Sequence, residues 1–245
     1  MTSSAASATE AALSPEQVQR LEEDGLLLLP GLLGEAEQLA SAFAHLMQEL
    51  DAGRGPLSRH DRFVAGVIPA PVGTIFKDVR LVRLARQFLG DNLALYMNRI
   101  LLKDTKWSGA VATHQDMPYF HGSQTKLSIF VALTPQDPAN GALRFYAGSH
   151  KFGNIGRGDI LVEKWPPMRE VAPRMEVGDV LLMNFLTWHY SEAAVTPHER
   201  ALLQIAYQPS SDGSYTAGGM AGPTLVSGVW QTDIFVPLDF GILKS

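Results

Sequence analysis

The segment Thr113-His114-Gln115-Asp116 places an imidazole and a carboxylate two residues apart. On a β-strand, positions i and i+2 face the same side, so both groups can reach one metal ion. Alone the pair means little, because seven His and thirteen Asp in 245 residues give about 0.4 His-x-Asp pairs by chance. A third group raises its weight. His189 follows the apolar run Val180–Trp188, at the end of an expected buried strand 75 residues downstream. Two His and one carboxylate on one face, with other positions open, hold non-haem iron(II) in oxygenases. The chain has no Cys, so disulfides, thiolate zinc sites, iron–sulfur clusters and thiol nucleophiles are excluded. Any metal must be held by nitrogen and oxygen.

Arg200 lies eleven residues after His189 and opens the apolar stretch Arg200–Tyr207. A chelating cosubstrate such as 2-oxoglutarate binds iron through its keto-acid end and needs a cation for its far carboxylate. A guanidinium suits that task, because its planar fork meets a carboxylate with two hydrogen bonds and stays charged when buried. Ser191, two residues past His189, can add a hydroxyl to the same carboxylate.

These groups need strands to carry them. After Gly90, short apolar runs at 93–102, 127–133, 143–146, 180–186 and 201–207 are separated by clusters of Gly, Pro, Asn and Asp, a strand pattern. Helices come first. Ser14-Pro15-Glu16-Gln17 combines an N-cap, a proline at the first helical position and a capping-box glutamine, and Gly25 stops that helix. Leu26–Leu29 is an expected short strand. Leu39, Phe43, Leu46 and Leu50 form one face of a second helix from about Glu35, and Asp78–Leu89 is a third. Helices before strands mean an α+β, mainly β fold, a sandwich or barrel with the helices segregated. Residues 1–12 read as a disordered tail and 13–245 as one domain, with 211–228 a candidate lid.

From Leu13 to about Tyr207 the chain resembles the phytanoyl-CoA dioxygenase family of iron(II)/2-oxoglutarate oxygenases. The likeness rests on LSPEQVQRLEEDGLLLLPGLL, THQDMPYF, NGALRFYAGSHK and EVGDVLLMNFLTWHYSE, in that order, closed by Arg200. It implies a double-stranded β-helix, a jelly-roll or cupin-like core with N-terminal helices packed on it. It implies His114, Asp116 and His189 as iron ligands, and Arg200 with Ser191 at the distal carboxylate of 2-oxoglutarate. Gln115 and Lys103 match positions that approach 2-oxoglutarate in such enzymes. It also implies O2 as co-reactant, with hydroxylation of a substrate as the default outcome. Two positions depart from the pattern: Ala147 stands where proline often precedes Gly-Ser-His, and Thr113 where an aromatic is common. Asp116 is intact, whereas related halogenases carry Gly or Ala there, so halogenation is not expected.

The remaining candidates read as structure. His150 in Gly148-Ser149-His150 is expected to bond nearby backbone, and Asn140-Gly141 to form a turn. His121 can line the pocket or face solvent. His45, His60 and His198 lack a supporting pattern. Of Trp107, Tyr119, Phe120, Phe185 and Trp188, most belong to the core and one or two to a substrate wall. Arg80, Arg83 and Arg86 are the densest basic group, either a coenzyme A phosphate site or a solvated helix face.

A formal charge of −5 argues against a broad nucleic-acid surface. No apolar run reaches the 18 or so residues of a membrane helix, and the first residues read as neither a secretory signal nor a transit peptide. A cytoplasmic enzyme acting on a small, partly apolar metabolite, in natural-product tailoring, is the expectation. Its rivals are a cupin-like isomerase or lyase without 2-oxoglutarate, and a non-catalytic jelly-roll binding protein. The first leaves Arg200 and Ser191 without a task; the second does not need an intact triad.

Overall fold

The computed structural model describes residues 12–60, 63–104, 109–120, 122, 125–196, 199–216 and 220–238. The tail read over 1–12 lies outside these except for Ala12, as do Trp107, His121, His198 and the side chain of His60. Three helices, α1 (Pro15–Asp24), α2 (Ala36–Asp51) and α3 (Val79–Leu89), are interleaved with β1 (Leu26–Leu29), β2 (Ser58–His60) and β3 (Phe63–Ala65). The strands that follow are β4 (Leu93–Lys103), β5 (Val111–His114), β6 (Leu127–Ala132), β7 (Leu143–Ala147), β8 (Arg169–Val171), β9 (Val180–Asn184), β10 (His189–Ser191) and β11 (Arg200–Pro209). Three short ones end the described chain: β12 (Ser214–Thr216), β13 (Thr224–Ser227) and β14 (Val236–Leu238).

The helix starts follow their caps. Ser14 Oγ accepts from the Gln17 backbone N–H while Gln17 Oε1 accepts from that of Ser14. Gly25 closes α1 at φ 76°, and a Cβ there would collide with His150 and Thr187. In α2, Phe43, Leu46, Met47 and Leu50 are buried, and in α3 Leu81, Leu84 and Ala85.

From β4 to β11 the chain passes back and forth between two antiparallel sheets, with β7 and β8 successive in one of them. The major sheet runs β1-β9-β6-β11-β4-β3-β2 with β13 added on β4; the minor sheet runs β5-β10-β7-β8. Strands β4, β6, β9 and β11 thus face β5, β7, β8 and β10, the winding of a double-stranded β-helix. Alternation along β6 separates two cores. Leu127, Ile129 and Val131 point outward into a cluster shared with the helices, whereas Phe130 and Ala132 point between the sheets toward Phe145, Leu181 and Leu202. With both faces covered, all ten residues of β11 except Pro209 are buried, which is why these strands read as near-continuous apolar runs.

Two readings change. The 211–228 stretch is not one loop: β12 pairs with β14 in parallel and β13 pairs with β4, seating Val226 against the outer core. Two of the three arginines of α3 are already paired with acids. Arg80 is held by Asp78, Glu35 and the carbonyls of Leu32 and Leu33, and Arg86 pairs with Asp91.

Candidate metal centre

Strand register brings the proposed ligands together. His189 of β10 lies directly opposite His114 of β5, with ring centroids 4.3 Å apart. Asp116 follows at the turn Met117–Tyr119, whose first N–H donates to Phe185 O. Its Oδ1 stands 3.9 Å from His114 Nε2 and 3.7 Å from His189 Nε2. One ligand atom from each residue lies within 4.8 Å of the others.

Both imidazoles are set by the same device. His114 Nδ1 is 2.8 Å from Ala112 O and His189 Nδ1 is 2.9 Å from Thr187 O. A carbonyl only accepts, so each Nδ1 carries a proton and each Nε2 is the ring nitrogen turned to the cluster. Burial, and then the neighbouring His114, push His189 down to about 4, against the pull of Asp116. It is therefore neutral at pH 7, as a metal ligand must be. Phe145 stacks on its ring at 6.1 Å. Asp116 Oδ2 accepts from Gln204 Nε2 at 3.1 Å.

The cluster opens on one side. The His114 side chain is 22% exposed against 5% for His189 and 7% for Asp116. Tyr119 presents its edge to the His114 ring at 6.2 Å, and the Arg157 guanidinium lies over Tyr119. Tyr119 thus joins Phe145 beside the cluster, while Phe120, Phe185 and Trp188 are buried packing.

Arg200 lies on the inner face of β11, four residues from Gln204 and about 13 Å along the strand. It is 3% exposed. Its Nε and one terminal nitrogen both donate to Gly141 O, at 3.1 and 2.9 Å, and it makes no ion pair with an acid among the described residues. Burial lowers it to about 10, so it keeps its charge at neutral pH. Lys103 stands directly across the β4–β11 pair, its ammonium on Glu192 O. Ser191 shares the inward face of β10 with His189 and is 1% exposed. Gln115, just past the end of β5, is 1% exposed and bonds to backbone on other segments. Its two amide protons go to Gly153 O and Leu186 O and its oxygen accepts from Ile155 N–H, so backbone engages both ends of its amide.

The sequence model for phytanoyl-CoA dioxygenase matches residues 8–202. The chain belongs to the phytanoyl-CoA dioxygenase family. Among curated relatives it is 31% identical over 156 residues to an ectoine dioxygenase of Bordetella parapertussis, covering 57% of this chain and 50% of that protein. The chain thus spans about half the length of the ectoine dioxygenases it matches first. It is 25% identical over 229 residues to a 2-aminoethylphosphonate dioxygenase of the uncultured bacterium HF130_AEPn_1, covering 81% and 82%. Among solved structures, EctD from S. alaskensis superposes with a TM-score of 0.72 at 23% identity, over 93% of this chain and 88% of that one. The carbocyclase SnoK from nogalamycin biosynthesis gives 0.70 at 20%, over 88% and 97%. Those likenesses establish the fold.

Within this family member, sequence reasoning missed Gln204, Arg99 and Gly141. Gly141 was assigned to a turn; at φ 74° it also turns its carbonyl to Arg200, and a Cβ there would press on Lys103 and Glu192 O. His150 behaves as expected, its Nε2 donating to Glu22 O at the end of α1. His45 is exposed on α2. No helix among the described residues is long and apolar enough to cross a membrane.

Proposed function

We propose that this chain is an iron(II)/2-oxoglutarate-dependent dioxygenase that oxidises, by default hydroxylates, a small and partly apolar metabolite. The observation that carries the proposal is the convergence of two imidazole Nε2 atoms and Asp116 Oδ1 in the same interior as a buried Arg200 that has no acid partner among the described residues. The donor set is nitrogen and oxygen with room for further ligands, which fits iron(II). A buried guanidinium without an acid partner among the described residues fits the distal carboxylate of 2-oxoglutarate. A cupin-like isomerase or lyase leaves that cation without a counter-charge, which is why it ranks second.

In this reading His114, Asp116 and His189 hold the metal. Arg200 binds the cosubstrate's far carboxylate, with the Ser191 hydroxyl and the Lys103 ammonium beside it. Bound there, iron(II) and 2-oxoglutarate supply the coupling of oxidative decarboxylation to succinate with O2-dependent oxidation of a substrate C–H bond. Phe130, Phe145 and Leu202 close the space between the sheets to water. Substrate enters where His114 is exposed and rests against Tyr119. The relatives named for ectoine and 2-aminoethylphosphonate support a small-molecule substrate, and the neighbours from nogalamycin biosynthesis support a tailoring role. A cytoplasmic location is part of the same proposal.

The test is anaerobic addition of iron(II) and 2-oxoglutarate to the purified protein. A weak visible charge-transfer band, lost in His114→Ala and Asp116→Ala, is expected. No band, and no succinate on admission of air, overturns the dioxygenase reading.

A further inference from the structure

Asp116 faces the two histidines through one oxygen, and the other is already engaged. Oδ1 is the atom near both Nε2 atoms, while Oδ2 accepts from Gln204 Nε2 at 3.1 Å. Gln204 is 1% exposed on β11, and its second amide proton reaches Ser128 Oγ of β6 at 3.1 Å. Directly opposite it in the β4–β11 register stands Arg99, whose Nε donates to Gln204 Oε1 at 2.8 Å.

The order of these groups matters. A glutamine amide can present either end, because its oxygen and nitrogen have nearly the same size. An arginine has donors only, so Arg99 can meet Gln204 only at the oxygen. That contact leaves the NH2 group facing Asp116. Without a donor on Oδ2, the carboxylate is free to turn and bring both oxygens toward a metal. A second oxygen would then take a position that a chelating cosubstrate or O2 requires.

We propose that Gln204, oriented by Arg99, is a positioning residue that holds Asp116 as a one-oxygen ligand and keeps a metal position open. This rests on the metal-site reading above and adds what sets the ligand geometry. Hydrogen-bond partners of ligating carboxylates commonly change metal affinity by 10- to 100-fold when lost.

The test is titration of the metal-free protein with cobalt(II), followed by its visible d–d absorption, which reports coordination geometry independently of turnover. Wild type is expected to give bands that Asp116→Ala abolishes. Gln204→Met keeps the side-chain length and removes the donor; it is expected to bind cobalt roughly 10- to 100-fold more weakly with shifted bands. Gln204→Asn, one methylene short of the carboxylate, must also shift the bands and covers the case in which Gln204→Met does not fold. A role in packing alone lowers the melting temperature and leaves the bands in place. Wild-type bands and affinity in a folded Gln204 variant overturn this proposal alone. Absence of any cobalt signal in the wild type overturns the metal-site reading together with it.

Discussion

His114 and His189 oppose each other across β5 and β10, and each donates its Nδ1 proton to the carbonyl two residues before it. The two candidate ligands are thus oriented by backbone carbonyls, one within β5 and one just before β10. They differ in surroundings. His189 is buried beneath Phe145, and His114 stands at the open side.

That difference separates metal binding from stability. His114→Ala and His189→Ala are both expected to abolish uptake of iron or cobalt. In metal-free protein, His189→Ala opens a cavity under Phe145 and is expected to cost about 2–3 kcal/mol. His114→Ala, at a partly exposed position, is expected to cost under about 1 kcal/mol. Urea denaturation of the two variants with chelator present checks this. Equal losses would mean that the packing assigned to His189 is wrong.

Arg200 is expected to act on the cosubstrate and not on the metal. A charge-assisted hydrogen bond is worth about 1.5–3 kcal/mol, so Arg200→Ala should raise the 2-oxoglutarate requirement by roughly ten- to hundredfold. Arg200→Lys keeps the charge, loses the fork and should fall between. Cobalt titration of both variants should match wild type. If metal uptake falls in step with the 2-oxoglutarate requirement, the role given to Arg200 is wrong.

The clustering of His114, Asp116 and His189 and the burial of Arg200 were legible in sequence because each depends on a local rule. The strand rule pointed to His114 and Asp116 on one side, although the strand ends at His114 and the turn after it carries Asp116, and an apolar run ending at His189 marks a buried strand. Gln204 and Arg99 were not legible, because they meet only through the β4–β11 register, which joins residues 105 positions apart. A weak signal existed: Gln204 and Gln208 interrupt a strand buried on both faces, where a polar side chain needs a partner. The helices were legible from their caps and apolar stripes. The later strands within 211–228 were not, because they are three or four residues long and bounded by Gly and Ser.

Lys126, with a fully buried side chain, donates to Gln208 Oε1 at 2.6 Å and Asp212 Oδ2 at 2.8 Å, and its ammonium lies 4.3 Å from the centre of the Tyr96 ring. Burial pushes this lysine down and Asp212 holds it up. Removing one partner of a buried pair strands the other charge, so Lys126→Met is expected to cost about 3–5 kcal/mol. Lys126→Met with Asp212→Asn should recover much of that loss. A double-mutant cycle by urea denaturation measures the coupling, and strict additivity would show that the pair is not a unit.

His150 supplies a pH dependence whose sign follows from its surroundings. Its Nε2 donates to Glu22 O, whereas its Nδ1 is buried without a hydrogen-bond partner among the described residues, against Gly25 and Thr187. A proton on Nδ1 would have no acceptor, and burial accordingly lowers this histidine below its usual 6.5. The unfolded chain therefore takes up a proton that the folded chain resists. Its contribution to stability is complete above pH 6.5 and declines as pH falls below that value. Gln at this position keeps a donor for Glu22 O and does not titrate. Wild type should lose more stability than His150→Gln between pH 7 and pH 5 in urea denaturation, because other titrating groups, His189 among them, contribute equally to both. Identical pH slopes would mean that Nδ1 finds an acceptor when protonated, and that this histidine does not resist protonation on folding.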